Sequence, residues 1–213
     1  MTITIPDPGA PSLEFERPAD RARLERTAAA LTSRGFQAQL ADSLEDARRL
    51  VLKEIPDGAE VHTALSETMR ELGIAAEIEQ SGRHDSVRSR LNALDRETQG
   101  REMRKLAAAP DYILGSAHAV TDDGEIIVGS GSGSQLGAYA YAAGRVILVI
   151  GHQKLVSDVA EGLRRVREYS LPREYVRMQS VGRAGSVLAK TLIIHQEFYG
   201  RISVILVPET IGF

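Results

Sequence analysis

The sequence contains no cysteine and no tryptophan. Without cysteine the chain cannot form disulfides, use a thiolate nucleophile, ligate an iron–sulfur cluster or build a cysteine-type zinc site. A reducing cytoplasm is the simplest compartment for such a chain, and we predict a cytoplasmic location. The five histidines are scattered and show neither the HxH nor the HExxH spacing of zinc sites, so no metal site is predicted.

Aromatic residues make up only 5% of the chain, and no block of basic residues interrupts a net charge of −3. Proteins that bind single-stranded nucleic acid stack bases on aromatic side chains. Proteins that bind duplexes or anionic membranes carry basic patches. Nucleic acid is therefore not an expected partner. Membrane insertion is not expected either, because no apolar segment approaches the roughly 20 residues of a spanning helix and the N-terminus lacks a signal-peptide pattern.

The composition is that of a globular protein, with 43% hydrophobic and 26% charged residues. Residues 1–18 contain four prolines and little periodicity, which predicts an extended N-terminal arm. Residues 19–109 are predicted to form the helical and α/β N-terminal part of one domain, and residues 110–213 its α/β core. In the core, the apolar runs 145–150 and 201–207 lack polar alternation, which is typical of strands covered on both faces.

Helix and strand signals alternate along the N-terminal part. Residues 19–35 predict a helix that ends at a glycine, and residues 42–55 predict a second helix with Ser43 as its N-cap. Residues 74–78 predict a short strand, and residues 85–108 predict one helix. Together with the strands of the core, this order predicts an α/β, three-layer, Rossmann-like fold in which helices flank a mostly parallel sheet.

The stretch GSGSGSQLG, residues 129–137, follows an apolar strand signal and precedes an alanine-rich helix signal. Strand, Gly/Ser turn and helix in this order bring unpaired backbone N–H groups and the positive end of a helix dipole to one point. Glycine there permits a positive φ and the close approach of a ligand. The alternative is a turn that only caps its own helix. The residues predicted to bind an anion are Ser130, Gly131, Ser132, Gly133, Ser134 and Gln135.

The same stretch matches neither GxxxxGK[ST] nor GxGxxG, because it has no lysine and a leucine replaces the third glycine. These are the fingerprints of nucleoside triphosphate and dinucleotide sites. The sequence therefore identifies no cofactor.

Five polar residues outside the loop are further candidates. His118 is the best candidate general acid or base, because a free imidazole titrates at about pH 6.5; the alternative is a structural histidine. His152 and Lys154 follow a buried-type strand, where a cation can pair with a phosphate or carboxylate; alternatively, Lys154 is solvated. Thr121 lies close to the loop in sequence. Glu209, near the end of the last strand, is a candidate catalytic carboxylate or a helix cap.

Residues 111–178 resemble the LUD domain of the lactate-utilization protein C family. The residues that carry the resemblance are Ala117-His118-Ala119-Val120-Thr121, Asp123-Gly124, Gly129–Ser134, Val146–Gly151, Lys154, Asp158, Arg165 and Pro172. The final GRISVILVPETIGF resembles the last strand of that family. The chain departs from the family pattern in two places: relatives carry Asn at the position of His118, and cysteines near residues 179–196.

The resemblance implies a fold similar to the sugar-phosphate isomerase and CoA-transferase superfamily, whose members hold phosphates or CoA with Gly/Ser loops. It implies a role in lactate or related organic-acid utilization, with an anionic metabolite or phosphorylated cofactor bound at the loop. Two alternatives stay open: a non-catalytic accessory or regulatory subunit of an oxidation complex, and a sugar-phosphate isomerase or CoA-transferase-like enzyme. Whether the chain is an enzyme is not decided. A homo-oligomer is predicted, and other lactate-utilization subunits are candidate partners.

Overall fold

The computed structural model describes residues 5–213. Its strands are β1 (Gln37–Leu40), β2 (Glu60–Thr63), β3 (Asp85–Ser86), β4 (Tyr112–Gly115), β5 (Ala119–Thr121), β6 (Ile126–Ser130), β7 (Arg145–Gly151), β8 (Leu155–Val156), β9 (Lys190–Ile194) and β10 (Ile202–Val207). Its α-helices are α1 (Arg21–Ser33), α2 (Leu44–Lys53), α3 (Glu67–Glu71), α4 (Ile74–Gln80), α5 (Val87–Asn92), α6 (Gly100–Ala108), α7 (Val159–Arg165) and α8 (Leu171–Ser180). Short 3₁₀ turns occupy Leu13–Glu16 and His152–Lys154, and π-helical turns occupy Ala138–Ala142 and Val166–Ser170.

The main sheet has six strands in the order β1-β10-β7-β4-β2-β3, and every pair in it is parallel. Its two central strands, β7 and β10, are the long apolar runs. Successive residues of β7 point to opposite faces, so Leu148 packs in the cluster that contains Leu24 of α1, whereas Val149 packs in the cluster that contains Val51 of α2. Helices therefore cover both faces, which confirms the predicted three-layer α/β fold.

A second sheet of four strands, β8-β5-β6-β9, lies beside the main one. Here β6 runs antiparallel to both β5 and β9, and β5 runs parallel to β8. The apolar strand signal that precedes the Gly/Ser loop therefore belongs to this smaller mixed sheet. Helix α7 packs on it at Gly162, where a Cβ would collide with the side chain of Ile127. The smaller sheet carries the Gly/Ser loop, whose first two residues, Gly129 and Ser130, are the last two of β6.

Two predicted elements of the N-terminal part are wrong. Residues 74–78 form the start of helix α4, because Ile74 and Ile78 lie one helical turn apart and both are buried. The single helix predicted over 85–108 is divided into β3, α5 and α6. Asp95 interrupts it by accepting hydrogen bonds from the Glu97 backbone N–H and the Thr98 hydroxyl, a competition typical of aspartate.

Other local predictions agree with the structure. Helix α1 ends before Gly35, whose φ is +87°, and Ser43 caps α2 by accepting the Asp46 N–H at 3.1 Å. Of the predicted arm, residues 1–4 lie outside the described part, and the 3₁₀ turn beyond them buries Phe15. Between residues 5 and 213, no helix combines the length and the hydropathy that crossing a bilayer would require.

Candidate ligand-binding site

A cleft of about 300 Å³ opens where β2 and β4 end. The carboxyl ends of parallel strands are the common ligand-binding edge of open α/β sheets. The Gly/Ser loop (residues 129–135) forms one wall of the cleft and helix α8 forms another. The polar residues that line it include His62, Ser66, Glu67, Thr68, Arg88, Ser116, His118, Ser130, Ser132, Ser134, Gln135, Lys154, Glu174, Arg177 and Ser186.

The Gly/Ser loop is an ordered turn. The Gly133 N–H donates to Ser130 Oγ at 2.9 Å, and the Ser134 N–H donates to Ser132 Oγ at 3.2 Å. Gly133 has a φ of +82°, as the sequence predicts for a glycine of this turn. Within the described residues, the N–H groups of Gly131, Ser132 and Gln135 have no protein acceptor. The loop thus has three N–H groups without a protein acceptor, and two more that donate to its own serine hydroxyls.

The alanine-rich helix expected after the loop is a π-helical turn of five residues, Ala138–Ala142. Such a short turn adds little dipole to its N-terminal end. Any attraction of the loop for an anion therefore comes from its free amides and from the side chains opposite them.

Lys154 is buried at the base of the cleft, with 1% of its surface exposed. Its Nζ donates to Thr68 Oγ1 and to Ser116 Oγ, both at 3.0 Å. Ser116 in turn donates its own proton to the Val149 carbonyl at 2.7 Å. Burial, assisted by the positive charge of Arg165, lowers the pKa of Lys154 to about 7. The solvated lysine considered from the sequence is not what the structure shows.

His118 precedes β5 and lines the same cleft. Its Nδ1 accepts the Gly129 N–H at 3.1 Å, so the ring is fixed to the first residue of the loop. Burial, followed by the charges of Lys154 and Arg165, lowers the pKa of His118 to about 3. The imidazole is therefore neutral at ordinary pH, with its proton on Nε2, for which no protein acceptor is found among the described residues.

Arg165 lies behind these two residues and is completely buried. Its guanidinium donates to the carbonyl oxygens of His118 and Gln153 and to Ser170 Oγ. The ring of Tyr169 lies 4.8 Å from the Arg165 guanidinium carbon, and burial lowers the pKa of Arg165 to about 10. Within residues 5–213 no carboxylate oxygen lies within 4.0 Å of it. Arg165 holds the backbone on either side of the cleft base and adds a fixed positive charge.

Three further cleft residues were not identified from the sequence. His62 is 3% exposed, its Nδ1 is buried without a partner, and burial and Arg88 lower its pKa to about 4. Arg88 donates to the Thr63 carbonyl at 2.8 Å, and burial lowers its pKa. Arg177 pairs with Glu174 at 2.7 Å. They come from β2, α5 and α8, and no spacing in the sequence connects these elements.

Four predicted site residues lie outside the cleft lining, namely Gly133 within the Gly/Ser loop and Thr121, His152 and Glu209 elsewhere. Thr121 is buried and accepts the Glu125 N–H at 2.9 Å. His152 bonds through Nε2 to Thr210 Oγ1 at 3.1 Å. Glu209 accepts the Leu44 N–H at 2.9 Å, so it caps helix α2. The structure therefore places Lys154, His118 and the Gly/Ser loop together and leaves Thr121, His152 and Glu209 apart.

In the described part of the chain, no three His, Asp or Glu side chains are grouped as a metal site would require.

A family model of the LUD domain matches residues 24–207. The chain belongs to the LUD domain family. This family is associated with lactate utilization, and the resemblance predicted from residues 111–178 is confirmed. The cleft described above is formed almost wholly by the residues that the LUD model matches.

Solved structures place the LUD domain of this chain in a known fold. A crystal structure of a DUF162 family protein from Deinococcus radiodurans superposes with a TM-score of 0.53 at 15% identity, covering 89% of this chain and 99% of that chain. Two partial matches are subunits of eIF2B from Chaetomium thermophilum. The beta subunit superposes with a TM-score of 0.36 at 18% identity, covering 56% of this chain and 41% of that chain. The delta subunit superposes with a TM-score of 0.32 at 15% identity, covering 56% of this chain and 52% of that chain. None of the curated proteins matches the chain.

Proposed function

We propose that this LUD-domain protein binds a small anionic metabolite of lactate or related organic-acid utilization in the cleft. The observation that carries the proposal is a pair of cations, Arg88 and Lys154. Both line the cleft, and among the described residues neither has a carboxylate within 4.0 Å. A buried positive charge without a partner is costly. An anion between the two would supply the missing charge.

The remaining charges of the cleft leave this positive excess in place. Glu174 is held by Arg177 at 2.7 Å, and Glu67 is held by Arg70 at 2.6 Å and approached by Arg177 at 3.5 Å. Glu79 and Glu71 raise the pKa of Arg88 and of Lys154 respectively, but burial outweighs them and neither lies within 4.0 Å of its cation. Because Glu67 and Glu174 are paired with arginines, they do not neutralise Arg88 or Lys154. The pairing also gives less support to a CoA-transferase-like reaction, which needs a free carboxylate as nucleophile.

The free amides of the Gly/Ser loop supply donors of the kind that bind carboxylate or phosphate oxygens. Gly131 and Ser132, whose N–H groups have no acceptor among the described residues, both line the cleft. A volume of about 300 Å³ is at the small end of ligand pockets. It favours a metabolite of a few carbon atoms, or a phosphate group, over a whole nucleotide.

Calorimetric titration with L-lactate, pyruvate and inorganic phosphate tests the proposal. We expect one of these to bind at about pH 6.5, and Lys154→Met to weaken that binding by about tenfold or more, the usual effect of losing a charged hydrogen bond. The exposed Lys105→Met is the matched control and should bind as the wild type does. If none of the three anions binds, or if both variants bind normally, the proposal is wrong.

The pH dependence of binding provides a second readout. Because the pKa of Lys154 is about 7 in the free protein, an anion that needs the ammonium must draw a proton onto it at higher pH. The affinity should therefore fall as the pH rises above about 7, by up to tenfold per pH unit for one proton. Lys154→Met should remove this dependence.

An accessory or oligomeric role is supported by a different observation. The adjacent side chains Phe198 and Tyr199 are 81% and 84% exposed, and exposed aromatic side chains are enriched at protein interfaces. Sedimentation velocity of the wild type and of Phe198→Ser/Tyr199→Ser tests the predicted homo-oligomer. We expect an oligomer that the double variant dissociates. A wild-type monomer would contradict the homo-oligomer prediction.

A further inference from the structure

We propose that Lys154 is a nucleophile that forms an imine with the carbonyl carbon of a small 2-oxo acid bound in the cleft. This inference rests on the proposed function, because the cationic cleft holds the carboxylate of the acid. It adds a covalent step that simple anion binding does not require.

The position of the Lys154 amine carries the inference. Two hydroxyl groups, on Thr68 and Ser116, each accept one Nζ proton at 3.0 Å. Ser116 can only accept from this amine, since its own proton goes to the Val149 carbonyl. Among the described residues, nothing bonds to the third tetrahedral position of Nζ. In the neutral amine this position holds the lone pair.

The charges around Lys154 also favour a reactive amine. In the described part of the chain no carboxylate lies within 4.0 Å of it, and the charge of Arg165 lowers its pKa by more than the charge of Glu71 raises it. A pKa of about 7 leaves a substantial neutral fraction at neutral pH. Desolvation beside a second cation is one of the ways in which proteins activate lysine for imine chemistry.

The cleft also contains a proton donor for which residues 5–213 offer no acceptor. His118 is neutral and carries its proton on Nε2, because Nδ1 accepts the Gly129 N–H. His118 and Lys154 both line the cleft, and the charge of Lys154 adds to the effect of burial in lowering the pKa of His118. An oxygen that develops charge beside Lys154 could therefore receive a hydrogen bond from Nε2.

The step balances without an oxidant or reductant. The Nζ lone pair attacks the carbonyl carbon, an N–C bond forms, and the π pair of the carbonyl moves to its oxygen. One Nζ proton is transferred to that oxygen and gives a carbinolamine. The C–O bond then breaks, and the oxygen leaves as water with both original Nζ protons. The products are the imine and one water molecule.

Reductive trapping tests the inference. The full chain is incubated with pyruvate and sodium cyanoborohydride, and the adducts are assigned by peptide mass spectrometry. The chain has four lysines, so the map is unambiguous. Lys53 and Lys105 are exposed and serve as internal references. We expect Lys154 to be modified at least about tenfold faster than either reference, and L-lactate, which has no carbonyl, to give no adduct.

The pH profile separates a nucleophile from a structural lysine. The rate at Lys154 should level off above about pH 7–8, whereas an ordinary exposed lysine becomes more reactive up to a pKa of about 10.4. Excess L-lactate should slow the reaction at Lys154 and leave that at Lys105 unchanged. Equal modification of all exposed lysines, or no adduct at Lys154, would overturn the inference.

The two proposals fail in different ways. If L-lactate or phosphate binds by calorimetry but no Lys154 adduct forms with pyruvate, the imine is excluded and the anion site stands. If no anion binds and no adduct forms, both proposals are wrong. Lys154→Arg keeps the positive charge but cannot form a lysine imine, so it should retain more anion affinity than Lys154→Met.

Discussion

The Nδ1 atom of His118 lies 3.1 Å from the backbone nitrogen of Gly129 and accepts its proton. A backbone amide can only donate. The contact therefore fixes the tautomer of the ring and leaves the Nε2 proton for the cleft. It also joins His118, just before β5, to Gly129, the first residue of the Gly/Ser loop. The position of the imidazole relative to the loop is therefore fixed.

We predict that His118 stays neutral, with its proton on Nε2, from about pH 8 to about pH 4. The physical reason is its burial beside Lys154 and Arg165, which lowers its pKa to about 3. Nitrogen-15 NMR of the imidazole nitrogens measures both the tautomer and the titration, and His118→Asn assigns the signals. A His118 midpoint between about pH 6 and 7, or a proton on Nδ1, would contradict the structure.

A second prediction concerns stability in acid. Burial lowers the pKa of His62 from 6.5 to about 4. Between these values the unfolded chain holds a proton at His62 that the folded protein does not, so the free energy of unfolding falls as the pH falls through this window. One such group contributes a slope of about 1.4 kcal/mol per pH unit.

His62→Phe removes this titration and keeps an aromatic ring of similar size. We measure the free energy of unfolding in urea between about pH 7 and pH 4. Its fall with pH should be less steep in the variant than in the wild type, by about 1.4 kcal/mol per pH unit. Parallel pH profiles of the wild type and the variant would show that His62 is protonated to the same extent in both states, which would exclude the predicted shift.

A third prediction concerns the Gly/Ser loop. Ser132→Asp places a negative charge beside the free amides of Gly131 and Ser132, so the affinity for an anion should fall by about tenfold or more. Ser132→Asn has nearly the same shape without the charge and is the matched control. Calorimetry with the anion that the wild type binds measures both variants. Equal affinities for the two variants would place the anion away from the loop.

The fourth prediction compares alanine substitutions at two glycines with a positive φ, one with space for a Cβ and one without. Gly35 and Gly58 have φ values of +87° and +79°. A Cβ at Gly58 would meet nothing within 4 Å, but a Cβ at Gly35 would collide with the Glu197 carbonyl. Gly58→Ala should therefore cost about 1–2 kcal/mol, from the left-handed backbone alone.

Gly35→Ala should cost more than Gly58→Ala, because either the Glu197 backbone or the end of α1 must move. The difference in urea midpoint between the two variants measures the cost of the collision. If Gly35→Ala is no more destabilising than Gly58→Ala, the contact between the end of α1 and the segment around Glu197 is looser than the structure has it.

The sequence predicted the central sheet because strands buried on both faces are mostly apolar and lack polar alternation. The runs 145–150 and 201–207 could fold in few other ways, and they form the paired strands β7 and β10. Residues 74–78 had no such constraint. Ile74, Ala76 and Ile78 alternate as in a strand, yet Ile74 and Ile78 also lie one helical turn apart, so only packing against the sheet selected the helix.

The candidate site divides in the same way. Glycine and serine at residues 129–135 identified the loop from local chemistry, because free amides and a positive φ depend on adjacent residues. The tertiary structure alone decided that Lys154 is buried, that His62 and Arg88 come to the same cleft, and that Glu209 caps a helix. The charge state of a side chain depends on its burial and on contacts with residues that are distant in the sequence. Neither can be read from the residues adjacent to it in the chain.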